Sequence, residues 1–256
     1  MNKIERQREH FDNIAEEYYS ARKNENHLRY KQLLFQYFLG DRMFAPGEMI
    51  RVLEPMCGYA EGKQIVERYI ASDFEYTGFD YSEVLLGEIR ADQPELNVFL
   101  CDVTKYEPPK ESFDLIILIG GLHHVPDYAE SVCEKLCGGL KKGGYFINFE
   151  PTNNNPLVAL ARCVVYKRNS LFDEETERAF SLRGYDRMFL RAGMSKDRQF
   201  FPGLLGYVLY YNPDAFPGLN LGTVKTVEGI FRFERRLYRS LIGRLFSFCT
   251  FTVWKK

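Results

Sequence analysis

The chain has 256 residues, 45% hydrophobic and 27% charged, with 34 Lys+Arg against 35 Asp+Glu. That composition, with 15% aromatic residues, excludes disorder as the main state and supports a sizeable core in one large or two small domains. A formal net charge of -1 speaks against a generally basic nucleic-acid binder. No apolar run approaches the ~20 residues of a membrane span. The start, MNKIERQREHF, has no apolar signal core, so the sequence reads as cytoplasmic.

Residues 1–48 read as a charged helical segment carrying Tyr18, Tyr19 and Tyr30. Strand and helix patterns then alternate. Residues 49–54 (MIRVLE) form a short apolar run ending in an acid, and residues 61–70 have helical spacing. Residues 76–80 (YTGFD) read as the second strand. A helix follows over 82–90, with Ser82 as its N-cap. Residues 96–100 (LNVFL) make a third strand, and 113–119 (FDLIILI) a central strand buried on both faces. A helix over 127–140 leads through a glycine-rich turn to a fifth strand at 145–150. Strands separated by helices of this length predict an α/β fold with a doubly wound, mostly parallel sheet.

Residues 151–224 carry Pro, Asn and Gly clusters and read as irregular. A helix is expected over 227–242, with Ile230, Phe233, Leu237 and Leu241 on its apolar face and Arg232, Arg235, Arg236 and Arg239 on or near the other. The alternating end, FSFCTFTVW, predicts a last strand. The six cysteines form no CxxC pair and read as reduced thiols, with Cys133 and Cys137 one turn apart on a buried helix face.

In an open α/β sheet, ligands bind beyond the carboxyl ends of the strands. The first strand is followed by Glu54-Pro55-Met56-Cys57-Gly58-Tyr59-Ala60, the second ends in Asp80-Tyr81, and the third in Cys101-Asp102-Val103. The fourth ends in Gly120-Gly121-Leu122-His123-His124. Asp80 stands about 26 residues after Glu54, near the spacing at which a carboxylate meets a ribose hydroxyl pair.

Five segments, VLEPMCGYAEG, GFDYS, VFLCDV, FDLIILIGGLHHVPD and LKKGGYFINFEP, together resemble the class I S-adenosylmethionine-dependent methyltransferases, in particular the small-molecule branch related to methyltransferase types 11 and 12. The resemblance covers about residues 49–150. It implies a Rossmann-like seven-stranded sheet in a single domain, with a helical lid (1–48), a cofactor-binding core (49–150), an acceptor-side insertion (151–224) and a closing helix and strand (225–256). It also implies S-adenosyl-L-methionine as cofactor. Glu54 would anchor the first loop and contact the methionine amino end. Gly58 would allow close approach, and Asp80 would accept both ribose hydroxyls. Tyr81 would pack on the adenine, Asp102 with Val103 would read its amino edge, and Gly120 would line the floor near the sulfonium. The stretch Phe11-Asp12-Asn13-Ile14-Ala15 with Tyr18 resembles the family's FDxxAxxY, so Tyr18, Tyr19 and His27 are candidates to close over the cofactor. Of the family's three glycines after the first strand only Gly58 remains; Met56 and Ala60 stand at the other two. That departure weighs more against a dinucleotide, whose pyrophosphate needs them, than against S-adenosylmethionine.

Catalytic base candidates are His123, His124 and Glu150; for the histidines the plain alternative is a ring that hydrogen-bonds the loop backbone and holds the following helix in place. Such a base helps if the acceptor is a hydroxyl. The expected reaction is O- or N-methylation of a small polar molecule, a sugar, metabolite or natural-product intermediate. Arg162, Arg183, Arg187, Arg191 and the C-terminal arginines leave room for an anionic acceptor. The alternatives are a nucleic-acid methyltransferase, whose Asn/Asp-Pro-Pro-aromatic turn GGLHH does not match, and a non-catalytic nucleotide-binding protein of the same fold. A nicotinamide oxidoreductase is disfavoured by the missing glycines. No metal site, nucleic-acid partner or membrane span is expected, and the chain reads as a monomer or homodimer.

Overall fold

The structure, a computed structural model, describes residues 3–40, 43–168, 178–213 and 216–256, without the side chains at 3, 10–11, 14–19, 165–168 and 217. Two helices, α1 (Lys3–Ala21) and α2 (Glu25–Leu39), precede the sheet, and Asn24 caps α2 by accepting from the backbone N–H groups of Asn26 and His27. The core then runs β1 (Ile50–Pro55), α3 (Glu61–Ile65) continued by a π-helical turn to Ile70, β2 (Phe74–Asp80), α4 (Glu83–Asp92), β3 (Val98–Leu100), β4 (Phe113–Ile119), α5 (Ala129–Gly139) and β5 (Leu140–Pro151). Ser82 caps α4 as its position suggested, accepting from the Leu85 N–H at 3.2 Å.

The segment read as irregular contains α6 (Pro156–Arg168), α7 (Leu182–Arg191) and a strand, β6 (Ser195–Phe200). The chain closes with α8 (Val224–Glu234), α9 (Leu241–Phe246) and β7 (Cys249–Lys255). The seven strands form one sheet in the order β3-β2-β1-β4-β5-β7-β6, parallel except for β7, which runs antiparallel to both neighbours. Strand order reverses between β1 and β4, where a ligand crevice belongs.

Side chains alternate across the sheet. Val52, Leu115, Ile147 and Phe251 pack beneath α2, α3 and α8, whereas Leu53, Ile116, Phe146 and Trp254 pack against α5 and α7. Cys133 and Cys137 lie buried on α5 with their sulfurs 3.9 Å apart, and the six cysteines are free.

One predicted helix becomes two. The buried face of α8 is Val227, Phe231 and Glu234, followed by Tyr238 beyond its end, whereas Phe233 is 66% and Leu241 70% exposed. Glu234 turns inward because the Gly206 N–H donates to its carboxylate at 3.0 and 3.1 Å, and the chain leaves the helix at Arg235. Ser240 then caps α9. The face formed by Phe233 and Leu241, expected to pack inward, points to solvent.

Candidate functional site

The turn after β1 forms the first wall of the site. Met56, Gly58 and Ala60 have φ of 52°, 50° and 55°, so all three positions of the family's glycines adopt the left-handed conformation. Two carry side chains there, at a steric cost of about 1–2 kcal/mol each. The backbone therefore keeps the shape that the substitutions put in question.

Glu54 holds this turn from below. Its carboxylate accepts from the Gly62 N–H at 2.7 Å, the Lys63 N–H at 3.1 Å and the Tyr76 hydroxyl at 2.6 Å. The first two are free N–H groups at the start of α3, where a carboxylate is favoured. A Cβ on Gly62 would come within 2.8 Å of three carboxyl atoms of Glu54, so a glycine is needed there. Burial pushes the Glu54 carboxyl up to about 8, against the pull of Tyr76, Gly62 and Lys63.

Asp80 sits at the tip of β2, buried, with the Gly58 N–H on one oxygen and the Ser82 N–H on the other, each at 3.0 Å. Burial raises its pKa, while those two N–H groups oppose the shift. The Tyr81 N–H also bonds this carboxyl group, and a carboxylate has about four acceptor positions, so capacity remains for a ligand. Asp102, after β3, accepts from the Thr104 N–H and hydroxyl and pairs with Lys105 at 3.2 Å. Partial burial works against its ionisation, but these partners hold its carboxyl below the usual range.

The turn after β4 forms the opposite wall. Gly120 has a φ of 70°, and the next three residues are tied to Glu150 at the tip of β5. Its fully buried carboxylate accepts from Gly121, Leu122 and His123 N–H groups at 3.1, 2.9 and 3.3 Å. It also takes a bond from the Asn148 amide at 3.1 Å and lies 2.9 Å from His123 Nδ1. His124, on the same turn, lines the cavity, and its Nδ1 is 2.7 Å from the amide of the buried Gln7 on α1. A second tie holds α1 down, from the Ser82 hydroxyl to Asp12. Asp12 belongs to the stretch that resembles FDxxAxxY, whereas Gln7 belongs to no motif.

Between these walls lies a cavity of about 330 Å³, bordered by Glu54, Met56, Gly58, Asp80, Tyr81 and Gly120. Its remaining side comes from Arg22, Lys23, His27, Leu28 and Lys31, in α2 and the turn before it. Burial, with Lys31 and Arg22 nearby, pushes His27 down to about 2; it is neutral, and its Nδ1 donates to the Tyr210 carbonyl at 2.9 Å. A smaller space of about 10 Å³ adjoins, bordered by Tyr81, Asp102 and Val103 and by Ile4 and Gln7 of α1.

The expected residues thus gather at one edge of the sheet, with two exceptions. The side chains of Tyr18 and Tyr19 lie outside the described residues. Arg162 donates to the Phe248 carbonyl at 2.7 Å, and Arg183, Arg187 and Arg191 sit on α7, so none of these borders the cavity; Arg22, Lys23 and Lys31 are its cations. Lys31 also pairs with Glu61. Among the described residues, no group of three or more His, Cys, Asp or Glu is placed to hold a metal.

Residues 52–144 match the family model described as a methyltransferase domain. No curated protein matches the chain in sequence. Among solved structures, an S-adenosylmethionine dependent methyltransferase from Mesorhizobium loti aligns over 89% of this chain and 98% of its own, at 14% identity and a TM-score of 0.57. A cyclopropane synthase from Mycobacterium tuberculosis aligns over 88% and 84%, at 14% identity and 0.61. A [4+2]-cyclase aligns over 87% and 79%, at 13% identity and 0.56. At such identities these neighbours share the fold. Residues 52–144 thus form a methyltransferase domain, on a fold shared with S-adenosylmethionine-dependent methyltransferases.

Proposed function

We propose that the enzyme methylates an oxygen or nitrogen of a small polar acceptor that enters beside α2. The observation that carries this reading is the single continuous cavity running from the Asp80 carboxylate to the cationic end of α2. Its volume suits a small molecule, and its lining mixes carboxylates, cations and apolar groups, unlike the continuous basic track a polynucleotide needs.

The residues present fit the cofactor. Asp80 keeps acceptor capacity for ribose hydroxyls, and the left-handed turn at Met56–Ala60 brings backbone close to the ligand. Tyr81, Val103 and Asp102 border the space assigned to adenine. Ile4 and Gln7 narrow that space to about the room of one water, so α1 must yield for the base to enter. When bound, S-adenosylmethionine supplies a methyl group made electrophilic by its sulfonium. The protein's part is then alignment of acceptor and methyl, which accounts for most of the acceleration.

His124 is the base candidate that borders the cavity. Its Nδ1 accepts from the Gln7 amide, which leaves the ring proton on Nε2, so the imidazole takes a proton from an acceptor hydroxyl at Nδ1 once that tie to α1 is released. His123 and Glu150 position that turn. Arg22, Lys23 and Lys31 favour an acceptor bearing a carboxylate or phosphate.

Thermal shift tests the donor side. S-adenosylmethionine or S-adenosylhomocysteine should stabilise the protein, by about 2.7 kcal/mol at a hundred times Kd, and NAD should not. Asp80→Ala should abolish the response. No response to any of the three ligands would overturn the reading. Because the fold also serves a [4+2]-cyclase, transfer of labelled methyl to an acceptor must be measured separately.

A further inference from the structure

The chain's net charge of -1 conceals a local extreme. Arg232, Arg235, Arg236 and Arg244 are exposed at the end of α8 and on α9. The acids of the same stretch do not offset them: Glu228 is paired with Arg29 and Glu234 is buried. Between and beside these arginines stand large apolar side chains in water. Phe233 is 66% exposed, Leu241 70%, Ile242 55% and Phe246 45%. The neighbouring helix α6 adds Leu157 at 66% and Leu160 at 63%.

The two helices are fastened together at their ends. The side-chain amide of Asn155 bonds the Leu245 carbonyl, that of Asn154 bonds the Ser247 carbonyl at 3.0 Å, and Arg162 bonds the Phe248 carbonyl. Their place in the fold is also shared. Helix α6 leaves the carboxyl end of β5, and α9 enters antiparallel β7 at the same edge of the sheet. That edge carries the cavity. Solvent-facing leucine, isoleucine and phenylalanine in such number mark a surface meant to be covered.

We propose that α6, α9 and the arginine-rich end of α8 form a docking face for the surface of an anionic lipid bilayer. Aliphatic side chains at the acyl boundary, with arginines level with the headgroups, are the chemistry of peripheral membrane attachment. Attachment would be interfacial, since no helix of the described residues is long and apolar enough to cross a membrane. The charge decides between occupants. A second copy meeting this face symmetrically would set arginines against arginines, which costs affinity. A nucleic acid would satisfy the arginines but leave Leu157, Leu160, Leu241 and Ile242 against phosphate and water. Docking here would turn the edge with the cavity toward the membrane.

Flotation of the full chain with vesicles tests this. The protein should float with phosphatidylcholine vesicles containing about one-third phosphatidylglycerol, not with pure phosphatidylcholine, and added salt should weaken the binding. Arg235→Gln with Arg236→Gln should weaken it about thirtyfold, and Leu241→Asp with Ile242→Asp should abolish it. These side chains are exposed, so thermal midpoints should stay near wild type. Should the α9 variant misfold, Leu157→Asp with Leu160→Asp on α6 reads the same effect. No binding to anionic vesicles would overturn the proposal, as would binding that the variants leave intact. So would salt-dependent retention by RNA, or a dimer dissociated by the same substitutions, in a protein that ignores vesicles.

Discussion

Glu54 and Glu150 end β1 and β5, and each commits a buried carboxylate to backbone N–H groups of a turn beside the cavity. They differ in reach. Glu54 pins residues 8 and 9 positions along its own chain segment, within one strand–turn–helix unit. Glu150 pins residues 27 to 29 positions earlier, on the turn that leaves the neighbouring strand. The first glutamate shapes a local turn. The second locks two strands' ends together, so the β4 turn depends on the β4–β5 pairing being made. Coupling of this kind gives a site its rigidity, because the wall cannot shift without disturbing the sheet beneath it.

Removing the longer-range carboxylate should therefore cost most. Glu150→Ala strands the buried Gly121 and Leu122 N–H groups, the half-buried His123 N–H, the His123 ring and the Asn148 amide, and should lower stability by about 3–5 kcal/mol in denaturant unfolding. Glu54→Ala strands fewer groups, the buried Gly62 N–H and Tyr76 hydroxyl and the half-buried Lys63 N–H, and about 2–3 kcal/mol is expected. Equal losses would remove the distinction. Glu150→Gln separates positioning from proton transfer. The pH profile of kcat should keep its shape in that variant, whereas loss of a basic limb would return Glu150 to the role of base.

The same contrast explains what could be read from the sequence. Strand ends, the acid before the first turn, the Ser82 cap and the Asp80 position are local patterns, and each lies where its neighbours in sequence put it. Glu150 is harder to read, because an acid at a strand tip shows its ties to the adjacent turn only once the β4–β5 pairing is known. In residues 224–246 the obstacle was a different one. Two faces competed, and the one that packs holds Glu234 and Tyr238, so hydrophobicity pointed to the wrong face. Gln7 and His124 meet across 117 positions, beyond the reach of any periodicity.

A third buried glutamate extends the comparison with a smaller effect. Glu234 pins the Gly206 N–H, and burial pushes its carboxyl up to about 7, as burial pushes Glu54 up to about 8. Both are raised above the 4.5 of an ordinary glutamate, so between that pH and the folded value the native state binds more protons than the unfolded chain. Their contribution to stability thus falls as pH rises through the window, by at most about 1.4 kcal/mol per pH unit for each group. His27, pushed down to about 2 from 6.5, acts oppositely, and its contribution is lost as pH falls below 6.5. Above pH 6.5 His27 no longer offsets the glutamates. Glu234→Gln should flatten the decline up to about pH 7 and leave that due to Glu54, which urea midpoints across the range would show.

The smallest effect lies within the turn that Glu54 supports. Ala60 and Met56 both hold positive φ, so glycine at either position relieves the same backbone strain. Their side chains differ. Ala60 offers one buried methyl group, and Ala60→Gly should stabilise by up to about 1 kcal/mol. The Met56 sulfur would stand 3.0 Å from a Cβ placed on Gly121, close enough to brace the β4 turn from across the cavity. Met56→Gly gains the same relief but gives up that packing, and should be neutral or destabilising. If both variants gain equally, Met56 contributes only strain to the turn. If only Ala60→Gly gains, the methionine at a glycine position is a brace between the turns that the two glutamates hold from below.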